Sequence, residues 1–570
     1  MSNKNVKTNT RYYLNFSIFI IFIYLLNPVV TEFSQSGGVL IGLQEAKKNL
    51  VFHFYTLEFS SQFVLSSLIL IISKSPLLVE FFGGLINVII ANFSILQWVK
   101  LFDKKFKEKK NNNKIYFIII IFNILHFALN LSYPIKFPLS YSIFGNSGMW
   151  LAIMILGMIL RNNLKGYFFF GILLSWHLVW ASLLLICLIP LIKIFSFNKE
   201  YKKKILLLSI GFLISLVFFF IFKILQSKLL IDINAKNYFL NLNNFYNIFK
   251  PEILTPIQLS YHNIALNDYF SFIKILFVIF FGLFFASILN KKNIQLIFYK
   301  KIIISFGVIG FILTFYVAVA SYIPLIGSDY LARIIPNRIF NFLIVLNTIL
   351  VSYFLLFQIN ENKLKNKKIN IEKIIALSWL VIAHKISGIA VVLIFIIKYL
   401  LESRRLINKI TIVNFLFTSI LILTFAVKLI FLNRYYFTIY DYLFKKDEII
   451  ESLKKIKKND SLILIGSSVS PPLNIYLSTP IEYIPAVNLG KYFFDINEMT
   501  KCKEKVMFNF GFNLELDWDC LKKIEADKWQ EINKVTNITH ILLANDGKKN
   551  YLKISKIAET KRYQLYSLIK

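Results

Sequence analysis

Cysteine is almost missing from this chain, with three in 570 residues, and acidic residues are scarce, 31 against 65 lysines and arginines. The first shortage excludes a small fold stapled together by many disulfides. No G-x-x-x-x-G-K-[ST] loop, no glycine-rich dinucleotide fingerprint and no G-x-S-x-G elbow occurs, which excludes ATP-driven transport by this chain. No cleavable signal peptide is expected. The first apolar run, residues 12–30, is long and lacks a small-residue cleavage site, so it reads as a retained span. The shortage of acid leaves a net charge of +34, which on its own would suit nucleic acid. The lysines, however, cluster in short loops between apolar runs, where cytoplasmic loops of membrane proteins carry them. No nucleic-acid partner is expected.

What is present is hydrocarbon. The residues are 56% hydrophobic and 16% aromatic, arranged in runs of about 20 separated by lysine-rich spacers, the pattern of a polytopic membrane protein. Lys4, Lys7 and Arg11 place the N-terminus inside. The strongest inside signal is KLFDKKFKEKKNNNK, with Lys100, Lys104, Lys105, Lys107, Lys109, Lys110 and Lys114. If residues 54–73 crossed, that segment would face outside. They are therefore expected to lie in the outer headgroup plane, within an outer loop 31–76, while 77–99 forms the second span. Span 3 is expected over 115–133. Counting onward gives about 11–13 spans, some of them short paired helices, over residues 1–433.

Two long runs do not fit single spans. GYFFFGILLSWHLVWASLLLICLIPLIKIF holds Trp176-His177 near its middle, and basic segments lie on both sides. The chain must go up and come back, so two shortened helices are expected to meet at Trp176-His177. Irregular backbone at membrane depth is tolerated only where protein buries it or a wet cavity borders it. IIALSWLVIAHKISGIAVVLIFIIKYLL repeats the pattern around His384-Lys385, either as a second hairpin or as a single kinked span. A hairpin puts the C-terminal domain outside, and a single span puts it in the cytoplasm. From about residue 434 the texture changes: SLILIG, THILLAND and YQLYSLIK read as short strands of a small α/β domain, 434–570. It carries Cys502 and Cys520, either a disulfide in an oxidising compartment or two free buried thiols. The third, Cys187, sits in a span.

The outer face then collects Glu32, Glu45, His53, Glu58, His177, His262, Asp268, Asp329, Arg333 and Arg338. Glu32 directly follows span 1, either as a rigidly held general base or as an interfacial acid that ends a span. An ionisable residue at membrane depth, such as His177, is a functional candidate by default, and a capped structural histidine is the alternative. Arg333 and Arg338 flank IIPN. Their guanidinium groups suit a bidentate grip on phosphate, or equally anchoring to lipid headgroups. His53, His177 and His262 have no close ligand spacing, so no metal site is assigned, although a divalent ion stays open. His126 and Glu80 fall within spans as packing candidates.

The long first outer loop opening on an acid, the interfacial segment HFYTLEFSSQFVLSSLILIISKSPL, the helices meeting at Trp176-His177 and the C-terminal α/β domain together resemble the GT-C superfamily of integral-membrane glycosyltransferases. That superfamily includes protein mannosyltransferases and aminoarabinose transferases. The family typically opens this loop with Asp, often Asp-Glu; here Glu32 stands alone before Phe33. The resemblance implies a polyprenyl-phosphate-linked sugar donor and a glycan, lipid or protein acceptor on the outer side of a bacterial cytoplasmic (inner) membrane. It implies Glu32 as base, with Arg333, Arg338 and His177 on the donor phosphate and His53, Glu58 and His262 near substrate. The alternatives are a lipid-linked glycan transporter or flippase, and an O-antigen polymerase or ligase.

Overall fold

The computed structural model describes residues 2–26, 60–73, 76–102, 108–131, 144–191, 200–230, 266–289, 294–320, 334–357, 371–403 and 410–435. It further describes 451–453, 462–465, 482–485, 507–509, 513–515, 538–544, 555–560 and 563–568, with isolated positions elsewhere. The helices are α1 (Ser2–Leu26), α2 (Ser61–Ser73), α3 (Pro76–Phe102), α4 (Glu108–Ile124), α5 (Phe144–Leu160), α6 (Lys165–Trp176) and α7 (Leu178–Leu188). They continue with α8 (Tyr201–Leu230), α9 (Tyr269–Leu289), α10 (Ile294–Ala320), α11 (Arg338–Phe357), α12 (Ile371–Ser403) and α13 (Ile410–Tyr435). The protein is thus a polytopic helical membrane protein followed by a small α/β domain. Among the described residues, six helices are long and apolar enough to cross a membrane by length and composition, and five shorter apolar helices accompany them.

Two compact units divide the chain: residues 1–27, 84–217 and 262–435 form the first, and 28–83, 218–261 and 436–570 the second. Within the first, α11 is the central pillar. Its membrane window is 94% buried, against 17% for α8, because α4, α5, α9, α10 and α12 all pack on it. A helix enclosed in this way can carry polar groups, provided that each finds a partner inside the bundle. Asn347 does so, accepting from Tyr299 Oη at 2.5 Å and donating to Val278 O at 3.0 Å. Close helix approach elsewhere uses small residues. Gly171 of α6 faces the α8 backbone so tightly that a Cβ would lie 2.5 Å from Leu208 O. Ser215 then reaches across to Ser175 at 2.8 Å.

Two sequence expectations change or sharpen. Span 3 does not run helically to residue 133. The helix α4 ends at Ile124 and residues 125–130 are non-helical, because tertiary partners take over their backbone. Ala128 N–H and Leu129 N–H both donate to Ala383 O at 3.0 Å. Leu131 N–H donates to Asn341 Oδ1 at 2.9 Å, and Leu131 O accepts from Asn337 Nδ2. Lys428 of α13 donates to Asn123 O and Leu125 O, satisfying carbonyls that the end of α4 leaves open.

The run around His384 is a hairpin. Two helical halves meet inside α12 at Lys385, which takes φ 49 and ψ −126. The Lys373 ammonium sits 4.6 Å from the centre of the Tyr399 ring, whereas a straight helix would separate those residues by about 39 Å. A Cβ on Gly388 would meet Leu380 O closer than any real Cβ approaches. The two halves, 371–384 and 386–403, therefore double back on each other at His384-Lys385.

In the second unit, five strands form a mixed sheet ordered β2-β1-β5-β7-β6. These are β1 (Leu462–Ile465), β2 (Glu482–Pro485), β5 (Ile538–Ala544), β6 (Ser555–Glu559) and β7 (Tyr563–Ser567). β1 pairs parallel with β2 and with the central β5, and β7 runs antiparallel to β5 and β6. The strands expected from SLILIG, THILLAND and YQLYSLIK are β1, β5 and β7. A separate antiparallel pair joins β3 (Met507–Asn509) and β4 (Asn513–Glu515). Buried β7 lies inside the sheet, while exposed β6 with Lys556 forms its edge.

Candidate functional site

The break between α6 and α7 is a single residue. His177 adopts φ −160 and ψ 95, ending α6 through its N–H to Leu173 O at 2.9 Å. Its Nδ1 then accepts from Trp180 N–H at 3.3 Å and caps α7, the role that Asp or Asn plays at ordinary helix starts. The capping role foreseen as an alternative for this histidine is therefore real. Two indoles fix the break against the first turn of α5: Trp176 Nε1 donates to Ser147 Oγ at 3.1 Å and Trp180 Nε1 to Gly145 O at 2.9 Å. Gly148 makes the approach possible, since a Cβ there would lie 2.7 Å from His177 Cβ and from Trp180 Cδ1.

Aromatic stacking carries this break to the central pillar. The Trp180 ring stacks on Phe342 of α11 with centroids 6.2 Å apart, and Phe342 stacks on Phe306 of α10 at 5.1 Å. One turn before Phe342 stands Arg338, the first residue of α11. It is buried, as is His177, and His177 likewise stands one turn before Trp180, the other ring of that stack. Of the residues chosen from sequence, these two are linked by the Trp180–Phe342 stack, although they lie far apart in the chain. Glu32, His53, Glu58, His262, Arg333, Cys502 and Cys520 lie outside the described residues, as do Glu45 and Asp329.

The backbone entering α11 is strained. Ile335, fully buried, takes φ 51, a left-handed conformation that a β-branched residue adopts at a cost of about 1–3 kcal/mol. Its carbonyl accepts from Arg338 N–H at 3.0 Å, and Pro336 and Asn337 continue this tight first turn. The strain is thus placed where it sets the direction of Asn337 and Arg338. A buried guanidinium at a helix N-terminus adds to the positive end of the helix dipole, so an anion is the ligand this corner suits.

A second polar layer lies at the α12 turn. The His384 imidazole shares a hydrogen bond with His126 O at 3.2 Å, and its Nε2 lies 3.3 Å from Thr348 Oγ1. Trp379 Nε1 donates to the same hydroxyl at 3.0 Å. Ser387 Oγ accepts from His126 N–H at 2.8 Å. His126, expected within a span, sits just past α4 with its ring exposed. Lys385 at the apex is exposed as well. Among the described residues, no three His, Cys, Asp or Glu side chains cluster as a metal site would require.

Sequence reasoning missed Asn337, Asn341, Gly148 and Ile335. The two asparagines did carry a signal, as an i, i+4 polar pair where a largely apolar segment begins.

No family model matches this chain, and no curated protein matches it. Among solved structures, it is similar to the crystal structure of ArnT from Cupriavidus metallidurans in the apo state. The identity is 12%, the alignment covers 99% of this chain and 98% of that one, and the TM-score is 0.43. A TM-score below 0.5 does not establish a shared fold.

Proposed function

We propose that this protein is a membrane glycosyltransferase that moves a sugar from a polyprenyl-phosphate donor to a glycan, lipid or protein acceptor on the extracytoplasmic side. The observation that carries the reading is the buried Arg338 at the start of the central pillar, where the backbone at Ile335 is strained, joined to the His177 break through the Trp180–Phe342 stack. In this reading, Arg338 and Arg333 hold the donor phosphate, and His177 contributes a polar edge to the same corner. Glu32 takes the proton of the acceptor hydroxyl as its oxygen attacks the anomeric carbon. The bond from that carbon to the phosphate oxygen breaks, and the phosphate leaves with the electron pair. Cations already in place where that charge accumulates give the largest catalytic effect in such chemistry. His53, Glu58 and His262 are assigned to substrate binding in the same reading. In this reading both basic flanks of α12 are inside, which its doubled-back course supports, and the C-terminal α/β domain is assigned to the extracytoplasmic side of a bacterial inner membrane.

One observation favours a second reading. Two broken hairpins, at His177 and at His384-Lys385, are a feature of transporters that carry substrate between discontinuous helices. Transport of a lipid-linked glycan is that reading.

Incorporation of labelled sugar from polyprenyl-phosphate donors, in membranes carrying the wild type or Glu32→Gln, separates the two. Transfer that vanishes in Glu32→Gln supports the transferase and its base. Transfer unaffected by the substitution moves the base to another carboxylate. No transfer from any donor sinks the transferase reading and leaves transport.

A further inference from the structure

An apolar groove of about 640 Å³ lies between α9 and the first half of α12, within the size range of about 300–1,000 Å³ typical of ligand sites. Phe277, Phe281 and Phe284 line it from α9, and Ser378 and Ile382 from α12. Its floor is the buried Trp379 ring, stacked on Phe281 with centroids 4.2 Å apart. The outer wall is bare, with Phe284 57% exposed.

Each wall runs on to a lysine at the same end. On α9, Lys274 precedes Phe277, Phe281 and Phe284 by three, seven and ten residues, so it belongs to one stripe with them. On α12, Lys385 stands three residues after Ile382, at the turn that ends this half of the helix. The two helices run antiparallel here: α9 runs in the direction of α11, with Val278 at Asn347 and Phe285 at Phe354, whereas α12 runs against it, with Trp379 at Thr348 and Ala383 at the 128–131 segment that Asn341 holds. Both lysines are exposed. Asp268, at the start of α9, caps Ser271 through its N–H at 3.1 Å and its hydroxyl at 2.6 Å.

We propose that this groove binds one anionic glycerophospholipid of the surrounding bilayer, with an acyl chain against the phenylalanines and the headgroup phosphate between Lys274 and Lys385. Charge complementarity selects the headgroup, since a groove without cations would accept any lipid. Length selects the chain. From Lys274 to Phe284 the stripe spans about 15 Å, half of the ~30 Å hydrocarbon core, which suits one leaflet's acyl chain rather than a long polyprenyl chain. Lysines at that depth are tolerated because their stems reach the interface, where a phosphate meets them. The site is separate from the Arg338–His177 corner and does not depend on the transferase reading.

The test is lipid binding to the purified full-length protein, followed by native mass spectrometry. Phosphatidylglycerol and phosphatidylcholine with identical acyl chains are titrated against the wild type and Lys274→Gln/Lys385→Asn. Asparagine is chosen because it tolerates the left-handed backbone at position 385. The wild type is expected to prefer phosphatidylglycerol by about 30-fold, at about fivefold per lysine near the surface, and the double variant to lose that preference. Lys274→Arg/Lys385→Arg is expected to keep it. If the double variant fails to fold, Lys274→Gln alone is expected to lose about fivefold. Equal binding of the two lipids by the wild type, or an unchanged preference in folded variants, overturns the proposal. So does displacement of phosphatidylglycerol by polyprenyl phosphate through the same two lysines, which would assign the groove to a substrate.

Discussion

Replacing Gly388 by alanine distinguishes a doubled-back α12 from a straight one by the sign of its effect. In the interior of a straight helix, Gly→Ala stabilises by about 0.5–1 kcal/mol, because glycine loses more backbone freedom on folding. In the hairpin, the new methyl collides with Leu380 O and lies 3.2 Å from His384 Cβ. The carbonyl is backbone of the facing half and cannot rotate away, so the halves must separate. Overpacking of this kind costs about 1–3 kcal/mol, more than the propensity gain. Reversible unfolding in mixed micelles should therefore show Gly388→Ala less stable than the wild type. A stabilised variant would refute the hairpin. Cysteines placed at Lys373 and Tyr399 check the same point: they should cross-link readily, whereas a straight helix would hold them about 39 Å apart.

Further expectations follow the same physical logic. Asn341→Leu leaves the buried Leu131 N–H without its acceptor and should cost about 1–3 kcal/mol in the same unfolding measurement; Asn341→Asp, which keeps an oxygen there, should lose less. Gly148→Ala should lower stability by about 1–3 kcal/mol and shift the fluorescence of Trp180, whose ring the new methyl would meet at 2.7 Å. An unchanged spectrum with full stability would contradict the packing described at the His177 break. In the sheet domain, burial holds His540 below its ordinary imidazole value. The unfolded chain therefore binds the proton first, so stability is intact above about pH 6.5 and falls as the pH drops below it. Thermal unfolding at pH 7.5 and pH 5 should show a smaller acid loss for His540→Gln than for the wild type; equal losses would remove His540 from that dependence.

Much of the architecture was legible because hydrocarbon runs and lysine spacers are coarse signals that survive any local detail. The hairpin at His177 was visible as a run too long for one span with a histidine at the centre and basic flanks on each side; the same pattern at His384 left a hairpin and a kinked single span both open. The end of α4 was not. Leu125, Phe127, Ala128, Leu129 and Leu131 are as apolar as the helix before them, and what stops the helix is a set of partners distant in sequence. Asn337, Asn341, Ala383 and Lys428 take the backbone groups that an α-helix would otherwise bond internally. The left-handed Ile335 was equally hidden, since nothing in IIPN selects a β-branched residue for that conformation. His177 and Arg338 were each chosen individually from sequence. Their link is the ring path from Trp180 to Phe342, which no local pattern encodes.

The central claim is that Arg338 holds a phosphate during sugar transfer, and Arg338→Gln beside Arg338→Lys tests it most directly. Sugar transfer from a polyprenyl-phosphate donor should fall by about 100-fold or more in Arg338→Gln. It should recover in part in Arg338→Lys, which restores the charge without the bidentate fork. Transfer at the wild-type rate by a folded Arg338→Gln would contradict the account.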